Sequence, residues 1–284
     1  MNILHIGASD GEEINFYDYC GAETLVYVEP DIHALKKLKE NIAKYQQAIN
    51  AGMVIHVLNK ACSDRIGEKI VLKANGKGQS SILDIGPRTK SWVGDEFEEY
   101  EVETTTINKI MDTNCSSYAN DYICIDTQGY EYTIMKDVNK EKFREKFAMV
   151  DIEIMTDPYQ YNIEEGQHKR LIYLLLNLGY EPVAIPMDKT ESYLFLKSDF
   201  YQRNKAWMDI LIKESAYKCE QELFKEALKK DDVDIGSNYI KTILMTSKGF
   251  HPLLKVTGQV HESKLDKFRK VLFEKITNVS NLLI

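Results

Sequence analysis

Short apolar runs alternate with segments of helical periodicity along residues 1–199. The apolar runs predict five strands, over residues 2–6, 24–28, 53–58, 121–126 and 147–154. Between the second and third strands, apolar residues recur at helical spacing and predict an amphipathic helix, at Leu35, Leu38, Ile42 and Tyr45. Strands that alternate with helices form a mostly parallel sheet, because each crossover returns the chain to the same end of the sheet. The pattern therefore predicts an α/β fold.

Residues 171–197 predict a further helix followed by a hairpin. One face of the helix is apolar, and Gly179 provides a residue at which a helix can end; the apolar face is formed by Leu171, Ile172, Leu175 and Leu178. Two more apolar runs follow, over residues 181–186 and 192–197. The link between them is too short for a parallel crossover, so these strands are expected to pair antiparallel. The sheet should therefore carry an antiparallel hairpin at one edge.

Pattern and charge divide the chain into a domain of residues 1–199 and a helical C-terminal extension of residues 200–284. The extension has a net charge of +4 and the first domain a net charge of −12. A basic amphipathic helix is predicted near its end, with an apolar stripe of Leu265, Phe268, Leu272 and Ile276. The opposite charges favour docking of this helix on protein, in the same chain or in a homo-oligomer. A cap that only completes the fold and a helix on an anionic membrane are the alternatives.

The composition excludes several classes of protein. A net charge of −8 and a pI of about 5.4 argue against a general nucleic-acid binder. The five cysteines contain no Cys-x-x-Cys pair, so neither a disulfide framework nor a zinc knuckle is indicated, and a cytoplasmic location is expected. No apolar stretch predicts a transmembrane segment, and the strand at the start of the chain leaves no room for a signal peptide.

The first two predicted strands end in residues that suit a nucleotide-like cofactor. The turn after the first strand contains Gly7 and Gly11, where the absence of a side chain lets the backbone approach a ligand. The second strand ends at Glu29, 22 residues after Gly7, where a carboxylate can accept hydrogen bonds from both ribose hydroxyls. NAD and S-adenosylmethionine sites share this arrangement. The acids within residues 10–13 would repel a pyrophosphate and suit a cationic sulfonium, which favours S-adenosylmethionine.

Four separated stretches carry a family resemblance. They are Gly7-Ala8-Ser9-Asp10-Gly11; Val28-Glu29-Pro30 with residues 35–41; residues 61–64 leading through Gly67 to residues 80–83; and residues 125–131, of sequence Ile-Asp-Thr-Gln-Gly-Tyr-Glu, with Glu153. In this order the stretches resemble the FkbM-type family of S-adenosylmethionine-dependent methyltransferases. The resemblance implies a Rossmann-like class I methyltransferase sheet and S-adenosyl-L-methionine as the cofactor.

The resemblance also implies roles for individual residues. It puts Gly7, Ala8 and Gly11 against the methionine part of the cofactor, Glu29 on the ribose, and Ser63 with Asp64 near the adenine, and Ser9 and Asp126 complete the cofactor-binding set. Two positions depart from the family pattern. His5 stands where the family usually has an aspartate, and Cys124 stands where it usually has a lysine.

Asp126 is the first candidate for a catalytic base and Glu153 is the second, because a hydroxyl acceptor must lose a proton that a carboxylate can take. Strand alternation puts Asp151 and Glu153 on one face, and the resemblance selects Glu153 as the acid in the cleft. Asp126 could instead cap the turn after its strand, and Glu131 could stabilise the start of a helix. No ligand spacing predicts a dedicated metal site, although Asp126 and Glu153 could share a divalent ion.

The functional hypothesis is transfer of a methyl group from S-adenosylmethionine to an oxygen atom. The family implies a small-molecule or glycan acceptor, with the hydroxyl on a sugar or another natural product. The alternatives are a non-catalytic module that assembles through the helical extension and an NAD-dependent oxidoreductase. The glycine-containing loop of residues 75–81 lacks P-loop spacing and is expected to form a mobile hairpin that could cover the cofactor.

Overall fold

The computed structural model describes residues 1–203 except positions 20, 50, 51, 77, 120, 156, 158 and 185–191. Beyond residue 203, the predicted helical extension lies outside the described residues, and so does its apolar stripe of Leu265, Phe268, Leu272 and Ile276. The structure therefore bears on the first domain, for which the α/β prediction is confirmed.

The helices and strands of the described residues alternate as the sequence predicts. The strands are β1 (Asn2–Ile6), β2 (Thr24–Val28), β3 (Val54–Leu58), β4 (Ala61–Cys62), β5 (Lys69–Ala74), β6 (Glu98–Thr105), β7 (Asp121–Ile125), β8 (Phe147–Glu153), β9 (Tyr180–Ala184) and β10 (Ser192–Lys197). The helices are α1 (Ile14–Tyr19), α2 (Ile32–Ile49), α3 (Pro87–Val93), α4 (Ile107–Thr113), α5 (Glu131–Met135), α6 (Lys140–Lys146), α7 (Gln167–Asn177) and α8 (Ser198–Arg203).

Seven strands form the central sheet, in the order β3-β2-β1-β7-β8-β10-β9. The first five strands of this order are parallel, and β10 pairs antiparallel with both β8 and β9. The prediction of a mostly parallel sheet with an antiparallel edge hairpin is confirmed. The strand order changes direction between β1 and β7, and such a switch point opens a crevice at the carboxyl ends of the strands.

A second sheet of three strands, in the order β4-β6-β5, is absent from the sequence predictions. β5 and β6 pair antiparallel over six residue pairs. One side of this sheet is exposed, and on the other side Leu72, Ala74 and Val102 form a small buried cluster. The small sheet follows β3 in the chain and contributes Ala61 and Cys62 to the neighbourhood of the crevice.

The inner strands β1, β2, β7 and β8 are buried on both faces, which explains why they are almost entirely apolar. Ile3 of β1 belongs to the same buried cluster as Leu38, on the amphipathic helix α2. Leu4, its neighbour in the chain, belongs to a second cluster with Phe143 of α6 and Leu171 of α7. Successive side chains of a strand point to opposite faces, so β1 joins the two layers of helices.

The end of α7 agrees with the prediction. Leu171, Leu175 and Leu178 are buried, and Gly179 follows with a φ of +79°. Glycine adopts this left-handed conformation without steric cost, so the chain leaves the helix there and enters the edge hairpin.

Two further observations concern membrane-spanning helices and the cysteines. Within residues 1–203 as described, no helix combines the length and the apolar character that crossing a membrane requires. Among the described residues, Cys62, Cys115 and Cys124 take part in no disulfide bond.

Candidate active site

The turn after β1 is built around two glycines. Gly7 has a φ of +80°, and a Cβ atom there would lie 1.6 Å from the carbonyl oxygen of Asp126. Gly11 has a φ of +68°, and a Cβ atom there would lie 2.3 Å from Cδ1 of Leu38. Neighbouring protein atoms therefore already exclude a side chain at both positions, and close approach of a ligand to this turn stays a prediction.

Glu29 follows β2 and faces this turn with a carboxylate that the backbone holds in place. Its Oε2 accepts a hydrogen bond from the N–H of Ser9 at 2.7 Å, and its Oε1 accepts one from the N–H of Asp31 at 2.7 Å. The side chain is buried, and this burial raises the pKa of Glu29 to about 8 although both hydrogen bonds act in the opposite direction. When Glu29 is ionised, each carboxylate oxygen keeps a second acceptor position for a ligand hydroxyl.

Asp31 connects Glu29 to the loop that follows β5. Its Oδ2 accepts hydrogen bonds from Ser80 Oγ at 2.5 Å and from the N–H of Gly76 at 3.2 Å. Its Oδ1 accepts a hydrogen bond from Tyr100 of β6 at 3.1 Å, and the same hydroxyl accepts one from the N–H of Ile32 at 2.9 Å. Burial acts to raise the pKa of Asp31, but the hydrogen bonds, led by that from Ser80, lower it below its ordinary value.

A cleft of about 620 Å³, including its open mouth, lies beside the carboxyl ends of β1, β2 and β7. This is the position at which open α/β sheets bind ligands. Its apolar lining includes Val28, Cys62 and Ile82. Residues 78 and 80–82 also line the cleft, so the loop expected to cover the cofactor does form part of its wall.

The structure divides the expected cofactor-binding residues into two groups. Gly7, Ser9, Glu29 and Asp126 line the cleft, whereas Ala8, Gly11, Ser63 and Asp64 lie outside its lining. Ala8 is buried in the cluster shared with α2. The N–H of Ser63 is bonded to the carbonyl oxygen of Thr105 at 2.7 Å. Asp64 accepts a hydrogen bond from Lys136 at 2.7 Å, and this ion pair lowers the pKa of Asp64.

The turn after β7 brings the two candidate catalytic acids together through Gln128. The Nε2 of this amide donates hydrogen bonds to Asp126 Oδ1 at 2.7 Å and to Glu153 Oε2 at 3.1 Å. Its Oε1 accepts a hydrogen bond from the hydroxyl of Tyr161 at 2.7 Å. Gln128 has a φ of +56°, which side-chain-bearing residues adopt infrequently. Gln128 lies within the motif of residues 125–131, but no role was predicted for it or for Tyr161.

Glu131 begins α5 from a buried position behind Asp126. Its Oε1 accepts hydrogen bonds from the N–H of Thr127 at 2.8 Å and from the N–H of Gly129 at 3.2 Å. Burial raises the pKa of Glu131 to about 7, and the nearby charge of Asp126 acts in the same direction. Glu131 thus stabilises the turn and the start of the helix, which was one of the two roles expected for it.

The alternation along β8 separates the roles of its two acids. Asp151 is buried and accepts hydrogen bonds from the hydroxyl of Tyr122 at 2.8 Å and from that of Ser192 at 2.6 Å. Glu153 is half-buried and contacts Gln128. Of these two acids, the structure therefore brings Glu153 into the neighbourhood of Asp126.

A cation is a second ligand that this cluster of acids could bind. Asp126, Glu131 and Glu153 each offer an oxygen within 4.8 Å of the others. Carboxylate oxygens are the ligands that hard divalent ions prefer, so these three residues are the ones that could hold such an ion. The structure adds Glu131 to the pair that the sequence analysis considered.

The two departures from the family pattern lie side by side on the sheet. His5 of β1 is opposite Cys124 of β7 in the strand register. His5 is buried, and its Nδ1 lies 3.0 Å from the hydroxyl of Tyr17. Cys124 packs against the buried cluster to which Tyr17 belongs. His5 is absent from the lining of the cleft, and so is Cys124.

The strand order, the antiparallel edge hairpin and the cleft at the switch point define a Rossmann-like methyltransferase fold. A family model of the methyltransferase FkbM domain matches residues 5–182, so the chain belongs to this family, and the resemblance seen in the sequence is confirmed. No curated protein matches the chain.

Several solved methyltransferase structures are similar to this chain. Methyltransferase FkbM from Methylobacillus flagellatus KT is 16% identical with a TM-score of 0.43, and the match covers 69% of this chain and 43% of that one. A putative RNA methyltransferase from Pyrococcus horikoshii is 14% identical with a TM-score of 0.32, over 69% of this chain and 74% of that one. The chain thus spans less than half the length of the Methylobacillus protein.

Proposed function

We propose that the protein transfers a methyl group from S-adenosylmethionine to a hydroxyl oxygen of a sugar or another small natural product. One observation carries this proposal: Glu29 and Asp126 line the same cleft. Two backbone N–H groups hold Glu29 after β2, and Asp126 follows β7, which lies two strands away in the sheet. Membership of the FkbM methyltransferase family supports the reaction class. The net charge of −12 on residues 1–199 supports a small acceptor over a nucleic acid.

The residues of the cleft fit S-adenosylmethionine. The free acceptor positions of Glu29 suit the two ribose hydroxyls, and apolar residues such as Val28 and Ile82 suit the adenine ring. Asp126, away from Glu29 in the same cleft, suits the positive charge of the sulfonium. The bound cofactor would supply an electrophilic methyl group. In this proposal Ala8, Gly11, Ser63 and Asp64 support the cofactor from behind the lining of the cleft.

Asp126 is the base in the proposed mechanism. Its carboxylate accepts the proton of the acceptor hydroxyl late in the reaction, when that oxygen has become acidic. Glu153, which shares the Gln128 amide with Asp126, is the second candidate for this role. The walls of the cleft hold the acceptor in line with the transferred group, and this positioning provides a large part of the rate.

Calorimetric titration with S-adenosylmethionine, S-adenosylhomocysteine and NAD tests the proposal. We expect both adenosyl compounds to bind and NAD not to bind. Glu29→Ala should weaken binding by about 1–3 kcal/mol, which is about 5–150-fold in Kd, because the ribose hydroxyls lose their acceptor. Glu101→Ala, at an exposed position on β6, is the control and should bind like the wild type. Binding of NAD alone would contradict the proposal.

A turnover assay separates an enzyme from a non-catalytic binding module. Release of S-adenosylhomocysteine is measured with a panel of sugars and hydroxylated natural products as acceptors. A protein that binds the cofactor and turns over none of them would favour the binding module. The same assay with a chelator tests the carboxylate cluster: loss of activity that a divalent ion restores would support a metal shared by Asp126, Glu131 and Glu153.

A further inference from the structure

We infer that Gln128 is a positioning residue that holds the carboxylates of Asp126 and Glu153 at the cleft, and that Tyr161 sets the orientation of its amide. The inference rests on the proposed function, because it concerns the residues that the mechanism uses. It assigns a role to a side chain between the two candidate acids and to a tyrosine outside the lining of the cleft.

The hydrogen bonds of the Gln128 amide match what each of its atoms can do. The NH2 group has two protons, and the two carboxylates of Asp126 and Glu153 take one each, at 2.7 and 3.1 Å. The opposite orientation of the amide would place its oxygen against two anionic oxygens. The hydroxyl of Tyr161 has one proton and lies near two amide oxygens, Oε1 of Gln128 at 2.7 Å and Oε1 of Gln79 at 2.9 Å. The shorter contact, to Gln128, stabilises the orientation in which the NH2 group faces the acids.

The backbone of Gln128 is held as firmly as its side chain. Its φ of +56° lies in the left-handed region, where a side-chain-bearing residue persists only if its surroundings enforce the conformation. One enforcing contact is the hydroxyl of Ser81, which donates to the carbonyl oxygen of Gln128 at 2.9 Å. Residues held in this way are concentrated at active sites, where the strain contributes to a preorganised geometry.

Burial makes the amide difficult to replace by solvent. Gln128 is 8% exposed and Tyr161 is 0% exposed. The carboxylates of Asp126 and Glu153 repel each other because both are negatively charged. The two protons of the Gln128 NH2 group lie between them and allow both to stay close. Without these protons, repulsion drives the acids apart, and Asp126 no longer points consistently into the cleft.

Two ligands of the cleft report the position of Asp126 without knowledge of the acceptor. One is S-adenosylhomocysteine, and the other is sinefungin, in which an amine-bearing carbon replaces the methyl-bearing sulfur. The ammonium of sinefungin should be attracted to a correctly placed Asp126 carboxylate. The ratio of the two dissociation constants, measured by calorimetry, therefore reports this placement, whereas loss of fold weakens both ligands together.

We expect the wild type to prefer sinefungin on the order of tenfold or more, as is typical of a charge-assisted hydrogen bond, and Asp126→Asn to remove this preference. Gln128→Met keeps the length of the side chain but has no amide. It should reduce the preference at least about fivefold and leave the Kd of S-adenosylhomocysteine nearly unchanged, because the amide acts through Asp126. In the Asp126→Asn background, Gln128→Met should cause no further change in the ratio of the two dissociation constants, because the amide acts through the Asp126 carboxylate. A purely structural role of Gln128 would change the binding of both ligands in either background.

Tyrosine variants keep the inference testable if Gln128→Met does not fold. Tyr161→Phe should reduce the preference in the same direction and by a smaller factor. Tyr180→Phe is the matched control, since Tyr180 is also buried and its hydroxyl donates to the carbonyl oxygen of Phe147 at 2.7 Å, away from the cleft. Its ratio should equal that of the wild type.

The possible failures are distinguishable. A wild type that binds neither ligand overturns the proposed function. A wild type that binds both ligands equally well overturns the placement of Asp126 and, with it, this inference. If Asp126→Asn removes the preference while folded Gln128→Met and Tyr161→Phe retain it, the role of Gln128 is overturned and the proposed function stands.

Discussion

The turn after β1 and the turn after β7 are neighbours at the same edge of the central sheet, and both contain a non-glycine residue with positive φ, Ser9 and Gln128. In the first turn, the carboxylate of Glu29 is held by main-chain N–H groups. In the second turn, the carboxylate of Asp126 is held by a side-chain amide. Main-chain donors move only with the fold, whereas a side-chain donor can be replaced by a single mutation. The Glu29 end of the cleft is therefore fixed by the fold, and the position of Asp126 can be changed by a single mutation.

The largest expected effect concerns the second turn. Asp126→Asn keeps the shape of the side chain but cannot accept a proton, so turnover should fall by about 10²–10⁴-fold while cofactor affinity changes little. The rate of S-adenosylhomocysteine release with the best acceptor of the panel measures this effect. Glu153→Gln provides the comparison. Unchanged turnover in both variants would show that neither acid is the base.

The contact between the two turns is tested by Gly7→Ala. The added Cβ would meet the carbonyl oxygen of Asp126 at 1.6 Å, so the variant should lose about 3 kcal/mol of stability even without cofactor. Gly67→Ala is the matched control, because Gly67 has a φ of +73° but no atom within 4 Å of the added Cβ. It should lose about 1 kcal/mol. Equal losses in chemical denaturation would contradict the packing role of Gly7.

The buried carboxylate of the first turn predicts a dependence of stability on pH. The folded protein keeps the proton of Glu29 up to a pKa of about 8, whereas the unfolded chain releases it near 4.5. Between these values the folded state binds more protons, so the contribution of Glu29 to stability falls as the pH rises through this window.

Glu29→Gln should therefore flatten the fall in stability across that window, measured by denaturation of the cofactor-free protein at several pH values. The curves of stability against pH for the wild type and for Glu29→Gln are subtracted. This cancels the contribution of Glu131, because its raised pKa is present in both proteins. Glu101→Gln, at an exposed position, is the control. A variant whose stability falls as steeply as that of the wild type would exclude a raised pKa for Glu29.

The smallest effect compares the same substitution in the two turns. Ser9→Gly relieves a φ of +47° and keeps the N–H that binds Glu29, so it should stabilise the protein by about 0.5 kcal/mol. Gln128→Gly also relieves a positive φ but removes the amide between the acids, so it should destabilise the protein by about 1–3 kcal/mol. Thermal melting of both variants measures the two changes in stability. If both variants are stabilised, or both are destabilised, the contrast between the turns is contradicted.

The central sheet was predictable because its inner strands are buried on both faces and form continuous apolar runs in the sequence. The predicted bounds of the five parallel strands differ from the observed ones by at most one residue. The small sheet was missed because charged residues occupy the exposed side of β5 and β6, so the apolar signal appears only at alternate positions. Tyr100, Val102 and Thr104 of β6 carried that signal, which a test for period-two alternation would have detected.

The candidate site was predictable where a residue follows directly from a strand end, as Glu29 and Asp126 do. The close contact between Gly7 and Asp126 was not predictable, because it depends on which strands are neighbours in the sheet. The role of Gln128 was not predictable, since its partners Glu153 and Tyr161 come from parts of the chain that only the fold brings together.

The hydroxyl of Tyr100 connects the small sheet to the residues that hold Glu29, so a mutation there can act at a distance from the cleft. It joins the small sheet to the first turn of α2 through Ile32 and Asp31, and Asp31 in turn donates its N–H to Glu29. The small sheet has its own buried cluster, apart from the two clusters of the central sheet. Loss of the Tyr100 hydroxyl should therefore act as a remote affinity mutation: the core would persist, and Glu29 at its end of the cleft would lose support.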